Sequence, residues 1–247
     1  MHMLKEWLRA ADVRTSRRTF LAKEIDPPVL SQILNVMESC NRESGLSIRF
    51  IANGADTFGN FSASYGMLRG VKAYFAVAGN RKLANIRELA GYYGELLVLE
   101  CTSLHLGTCW VGGTYDKEAC KRQIGLSAEE ELMGVIPVGY VSDGKTLRER
   151  AVSMVGLRSK KTEELIKPNS GLPEWITKAM DCVVKAPSAM NKQPVHFEYR
   201  NPQVIAYVES DAQKIDLGIA MAHFELGAWS AGSKGKWMMK GEEHIFH

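Results

Sequence analysis

Two short polar stretches carry residue types able to hold an anionic ligand. Near the N-terminus, "RTSRR" places Arg14, Ser16 and Arg18 on alternate residues, so in an extended segment they face one way. Two guanidiniums and a hydroxyl on one face suit a phosphate, because the planar fork of arginine matches anionic oxygens. An ordinary solvated basic loop would have the same composition. Far along the chain, "KAPSAMNKQPVHF", residues 185–197, sets Ser188, Asn191 and Gln193 beside the small Ala186 and Ala189. It follows "EWITKAMDCVVK", whose apolar Trp175, Ile176, Ala179, Met180, Val183 and Val184 recur at helical spacing. Pro187 predicts that this helix stops nearby, since proline removes an amide donor and crowds the preceding turn. The corner between helix and "VHFEY" is either a plain turn or a cradle.

A third stretch, "LGTCWVGG", has glycines that allow close backbone approach to a ligand, and Trp110, which either stacks on one or fills the core. A helix cap followed by a turn reads equally well. Cys109 is a nucleophile by type, but no His or acid lies at a recognisable spacing from it. The six histidines are dispersed with neither HxxxH nor HExxH, and the five cysteines form no CxxC pair. A metal centre is therefore not expected, and redox chemistry would need an organic cofactor. Scattered cysteines in odd number fit reduced thiols and a cytoplasmic location better than a disulfide framework. The start of the chain is amphipathic and charged, without a signal-peptide core, and no run reaches the ~18 apolar residues of a membrane span. A net charge of +3 with interspersed signs excludes a polybasic nucleic-acid groove.

Elements must position these motifs. A short N-terminal helix precedes the arginine segment, and "PPVLSQILNVMESC" is a helix opened by prolines. "SIRFIAN", "VKAYFAVAG" and "VIPVGYVS" read as strands, with a long loop over 53–66. "AGYYGELLVLECTSLHLG" is apolar around most of its girth and predicts a central helix capped by a left-handed Gly107. Residues 142–173 are polar and basic and read as a connector.

Beyond the connector the chain echoes itself. "ILNVMESC…SIRF" returns as "ITKAMDCVVKAPSAMNKQPVHF", pairing Met37 with Met180 and Phe50 with Phe197. "AYFAVAG" returns as "VIAYVES", and "ELLVLECTSLHLG" as "DLGIAMAHFELG", pairing Leu106-Gly107 with Leu226-Gly227. Helix, strand, strand, helix and Gly cap recur in one order, which points to an internal duplication. The polar corner exists only in the second copy.

Taken together, "RTSRR", "APSAMNKQP" and "GELLVLECTSLHLGTCWVGG" resemble the nitroreductase-like family of FMN-dependent oxidoreductases, in the branch with two half-repeats fused in one chain. The resemblance covers roughly residues 8 to 232. It implies an internally duplicated α+β fold, a central sheet with long flanking helices, forming one domain over residues 1–247 from half-repeats at about 1–165 and 172–247. It further implies that Arg14 and Ser16 hold the FMN phosphate and that Arg18 lies near the N1 and C2 carbonyl edge of the ring, where a cation favours the anionic reduced flavin. Pro187, Ser188, Ala189 and Asn191 match the family's proline–serine corner. Trp110, Val111, Gly112 and Gly113 match its loop near flavin N5, and Arg69 falls near a basic residue on the pyrimidine side. Two departures stand out. Val195 and His196 follow Pro194 where the family has an aromatic, and the late basic residue for the phosphate would have to be Arg158, Lys160 or Lys161.

The implied activity is hydride transfer from NADH or NADPH through FMN to a small acceptor such as a nitroaromatic, quinone or flavin. No side chain is required as acid or base. The alternative is a flavin-binding carrier or redox sensor without turnover, and chemistry on the flavin itself is a further enzymatic variant. The half-repeat reading implies one FMN per chain and an active monomer, with a homodimer through other surfaces still compatible.

Overall fold

The computed structural model describes residues 2–59, 67–144, 146, 149, 159–168, 170–240 and 243–247. The expected loop at 60–66, Arg158 and most of the connector lie outside them. Helix α1 spans His2–Val13 and α2 spans Pro27–Ser44. Prolines at the start of α2 cost nothing there, since the first amides lack intrahelical partners, and Gly45, at φ 73°, ends it in the left-handed region. Strand β1 (Arg49–Ile51) and a single-turn helix α3 (Ala55–Phe58) follow, the latter inside the stretch expected to be loop. Then come β2 (Ala73–Asn80), α4 (Ile86–Ser103), β3 (Gly107–Thr108), α5 (Lys117–Ile124) and β4 (Glu130–Gly139). The second part contains α6 (Thr162–Leu165), β5 (Ile166–Lys167), α7 (Glu174–Val183), β6 (His196–Arg200), β7 (Gln203–Tyr207), α8 (Lys214–Ser230), β8 (Trp237–Lys240) and β9 (Glu243–Phe246).

The expected central sheet is instead two sheets with the long helices packed between them. One has the order β1-β2-β4-β3 and the other β5-β6-β7-β9-β8. Strand β2 is buried from Ala73 to Gly79 because helices cover both faces: Phe75 and Val77 meet α2 and α4, while Tyr74 and Ala76 meet Phe58, Tyr115 and Cys120. That two-sided burial explains its unbroken apolar sequence. In the second sheet Phe197, Val204, Ala206 and Phe246 pack on α7 and α8. Helices α4 and α8 touch directly. A methyl group on Gly91 would strike the Ile215 carbonyl, and one on Gly218 would strike the Glu88 carbonyl, so glycine at both positions permits the contact.

Two expectations about glycine fail. Gly107 is not the cap of α4: the helix ends at Ser103, His105 takes the positive φ of 62°, and Gly107 pairs with Gly139 in the sheet. Gly227, its supposed counterpart, sits inside α8 against Ala179 and Lys178 of α7. The second part has the order helix, strand, strand, helix in α7-β6-β7-α8, and the first part has it in α2-β1-β2-α4 with the single-turn α3 between its two strands. Register agrees as well: Phe50 opposes Phe75, and Phe197 opposes Ala206, the residue that the echo aligns with Phe75. Among the described residues no helix is long and apolar enough to cross a membrane.

Candidate functional site

The arginine segment is extended, as its alternation predicts, and is stitched on both sides. Ser16 bridges Thr108 in parallel, with the Arg17 amide donating to the Thr108 carbonyl at 2.8 Å, while Thr19 bridges Arg69. Alternation then sorts the side chains. Cys109 is buried, and that burial raises its thiol pKa. The nearby Arg18 and Arg14 charges and the Ser16 hydroxyl oppose the rise, which places all three residues near the Cys109 thiol. Arg17 points the other way and is fully engaged, by Glu149 at 3.3 Å and by the carbonyls of Ser142 and Gly144 at 2.9 and 2.8 Å.

Glu149 shapes the segment from behind. Its carboxylate accepts from the amides of Arg18 at 2.6 Å, Thr19 at 3.2 Å and Thr146 at 2.8 Å. Burial opposes its charge, but these amides and Arg17 lower the carboxyl to about 2. Arg18 itself, half-buried, and the exposed Arg69 make no side-chain hydrogen bond or ion pair among the described residues, although the Arg69 amide donates to the Arg18 carbonyl at 2.9 Å. These two guanidiniums, without a counter-charge among the described residues and on segments joined by the Thr19–Arg69 bridge, make an arrangement suited to an anion.

A buried carboxylate that the sequence reading did not single out ties the motifs together. Glu95 on α4 has no exposed surface; it accepts from Trp110 Nε1 at 2.8 Å and from His223 Nε2 at 3.0 Å, and lies 3.9 Å from Arg14 Nε. Trp110 therefore turns inward, its ring lying over Gly94, where a methyl group would collide with it. The other ring nitrogen of His223 faces the Cys182 carbonyl at 3.2 Å and the Cys182 sulfur at 3.7 Å, an environment that favours the imidazolium. Burial opposes that charge, but Cys182 and Glu95 raise the His223 pKa to about 9. Val111 is buried, its amide and carbonyl spent on Val135 at 3.0 Å each. Gly112 and Gly113 are exposed, and none of the described residues occupies the space a side chain would fill.

The corner is more contorted than a simple turn. Within four residues Met190, Asn191 and Gln193 take positive φ angles of 54°, 55° and 43°, conformations that cost energy and persist where the surroundings over-determine them. Ser188 Oγ accepts from the Gln193 amide at 2.8 Å, and Asp216 at the start of α8 accepts from the Ala189 amide at 3.1 Å. Burial raises the Asp216 carboxyl to about 6 against that hydrogen bond. Asn191 donates to Ser159 at 3.3 Å, and Lys160 donates its ammonium to the Gln193 carbonyl at 2.9 Å. Of the three cations considered for the phosphate, Lys160 is thus placed at the corner, Lys161 starts α6, and Arg158 lies outside the described residues. Pro187 and Ser188 border a small cavity of about 20 Å³ closed by Asp216 and Ala220.

Among the described residues none of Pro187, Ser188, Ala189 and Asn191 hydrogen-bonds to residues 14–18. The two motifs are joined one step away: Lys185 pairs with Asp12 at 2.5 Å, and Cys182, His223, Glu95 and Arg14 form a chain of contacts from α7 to the arginine segment. The residues present fit a phosphate-bearing planar cofactor. Among the described residues Arg14 Nε is buried without a hydrogen-bond partner, Arg18 and Arg69 have no carboxylate partner, and the Gly112-Gly113 backbone is open to close approach.

Comparison with known proteins defines the class of the chain. The profile of a family described as "Putative TM nitroreductase" matches residues 6–228. The chain belongs to that nitroreductase family, which gives it a general oxidoreductase role. A crystal structure from Thermotoga maritima, likewise described in that way, superposes with a TM-score of 0.67 at 20% identity, covering 97% of this chain and 92% of that one. A Bacteroides fragilis nitroreductase with bound FMN gives a TM-score of 0.46 at 18% identity, over 57% of this chain and 91% of that one. An FMN-dependent nitroreductase of Clostridium difficile gives 0.46 at 15%, over 56% and 88%. No curated protein matches the chain.

Proposed function

We infer that the chain is an FMN-dependent oxidoreductase that carries hydride from NADH or NADPH to a small acceptor such as a nitroaromatic, a quinone or a flavin. The observation that carries this reading is the pair Arg18 and Arg69, without a counter-charge among the described residues, with Arg18 on a segment held by Glu149 and Arg69 bridged to it. When bound, FMN supplies the two-electron chemistry. Arg14, Ser16 and Lys160 are assigned to its phosphate, and Arg18 and Arg69 to the pyrimidine edge of the ring, where positive charge favours the reduced, anionic cofactor. Gly112, Gly113 and the corner at Pro187, Ser188, Ala189 and Asn191 give backbone contact and let substrates reach the ring from solvent. Trp110 and Val111 support that loop from within. No residue is assigned as acid or base.

The chain is read as a single-chain pseudo-dimer of half-repeats, about 1–165 and 172–247, with one FMN. The recurring α2-β1-β2-α4 and α7-β6-β7-α8 order and the matched Phe50 and Phe197 registers support it. This reading requires no second chain, and a homodimer through other surfaces is compatible with it. Five free cysteines, all buried, suit the cytoplasm. Anaerobic stopped-flow mixing of the FMN-loaded protein with NADH and with NADPH tests turnover. Rapid bleaching of the flavin by one of them is expected; a flavin that neither reduces would make the protein a carrier or sensor.

A further inference from the structure

A well-formed cavity lies away from the arginine segment. It has a volume of about 680 Å³ and lies between α2, α4, α8 and the β8-β9 hairpin. Aromatic rings from Trp7, Tyr92, Tyr93, Trp229 and Trp237 line it, so its walls are flat and apolar. The size suits an organic ligand. Its charged lining is dominated by acids, with Glu43, Glu88, Glu100 and Glu225 set against Lys236.

The second observation is His244, which lines the cavity from β9. Its side chain is 5% exposed, and among the described residues neither ring nitrogen has a hydrogen-bond partner. Native structures seldom leave such a group unsatisfied. Its Nε2 lies 3.8 Å from Glu88 Oε1, whose side chain is also 5% exposed. That separation is too long for a hydrogen bond, yet two acceptors so spaced can both be reached by one ammonium group at ~2.9 Å from each. Lys214 lies 3.8 Å from the same Glu88 oxygen but pairs with Asp211 at 2.8 Å. Glu100 and Glu225 already have partners, Trp7 and Gln32 for the first and Tyr92 for the second.

We propose that this cavity binds a cationic aromatic small molecule, its ring between the tryptophans and tyrosines and its ammonium at Glu88 and His244. Acidic side chains outnumber basic ones in the lining, and Glu43 acts on its α2–α4 side. Burial first and the Glu43 charge next push both the Cys40 thiol and the Tyr93 phenol up to about 12. Burial first and the Lys214 charge next lower His244 to about 4, which keeps it neutral near pH 7 and able to accept a proton donor. An anion of the same shape would meet four carboxylates, so the site is not a second phosphate site.

Three probes with one ring system and different charge test this on the full-length, FMN-loaded protein: naphthylmethylamine, naphthylmethanol and naphthoate, followed by calorimetry and tryptophan quenching. The amine should bind at least about tenfold more tightly than the acid, with the alcohol between. His244→Phe should weaken the amine about fivefold. Ser39→Trp, or Asn35→Trp at the same rim if the first fails to fold, should abolish binding while leaving FMN content unchanged. Absence of binding by all three probes would overturn the proposal, as would an acid that binds as tightly as the amine. Amine binding that survives both rim substitutions would place the ligand elsewhere and overturn it equally.

Discussion

Lys185 and Asp12 form an ion pair 2.5 Å long between the last turn before the polar corner and the last turn before the arginine segment, 173 positions apart in sequence. The pair links the segments that carry the two candidate halves of the cofactor site. Both side chains are about half exposed, so their coupling in folding stability should be small, below ~1 kcal/mol in a double-mutant cycle with Asp12→Ala and Lys185→Ala. Each single variant should nonetheless weaken FMN several-fold in a fluorescence titration. Affinity equal to wild type in both would show that the pair does not set the geometry of the site.

Glu95 should behave differently because it is buried. Glu95→Gln keeps the shape but leaves the His223 imidazolium and Arg14 without their carboxylate, and removing one partner of such a buried pair costs about 3–5 kcal/mol. Urea denaturation reads the loss, and Glu95→Gln combined with His223→Gln should recover part of it.

The same network predicts a pH dependence. The His223 pKa is raised in the folded chain from 6.5 to about 9. Its contribution is therefore fully present below pH 6.5 and lost as pH rises through 9, on the order of 3 kcal/mol. Denaturant midpoints between pH 6 and 10 should fall for the wild type and flatten for His223→Gln. A wild-type midpoint that stays constant over that range would mean that the ring is not held charged.

Glu149 is the positioning residue of the arginine segment. Glu149→Gln removes the charge that draws the Arg18, Thr19 and Thr146 amides together, worth about 1.5–3 kcal/mol for a charge-assisted bond. Because its carboxyl is lowered to about 2 from 4.5, that stability is present above pH 4.5 and is lost as pH falls through 2. The variant should bind FMN more weakly while its far-ultraviolet dichroism is unchanged. Unaltered affinity would separate Glu149 from the site.

Much of the fold was legible because its signals are local. The prolines at 27 and 28 and Gly45 bracket α2, alternation in "RTSRR" sorted Arg17 from its neighbours, and Pro187 marked the end of α7. Helix α5 was missed although Asp116 caps its amides and Gly125 ends it, because its charged "KEACKRQI" carries little apolar pattern. Gly107 misled because a glycine after a helical run resembles a cap whether or not the helix reaches it. Glu95 and His223 were invisible for another reason: each is a single polar residue in an apolar helix, and only the packing of α4 against α8 brings them to 3.0 Å. The Lys185–Asp12 pair is non-local in the same way.

Arg14 and Arg18 should fail in different ways. Arg14→Ala should weaken FMN binding by about 1.5–3 kcal/mol, the value of a hydrogen bond to a charged group, whereas Arg18→Ala should mainly lower the flavin reduction potential. Spectroelectrochemistry beside a binding titration distinguishes them, and identical effects on both quantities would contradict the division of roles.

The central claim is that one chain builds one FMN site from the segment at 14–18 and the corner at 187–191. Flavin released by denaturation from the fully loaded protein, quantified against chain concentration, tests it most directly, with light scattering giving the oligomeric state. The account predicts one FMN per chain, reduced in Arg14→Ala. Two FMN per chain, or a protein that stays colourless after incubation with FMN, would contradict it.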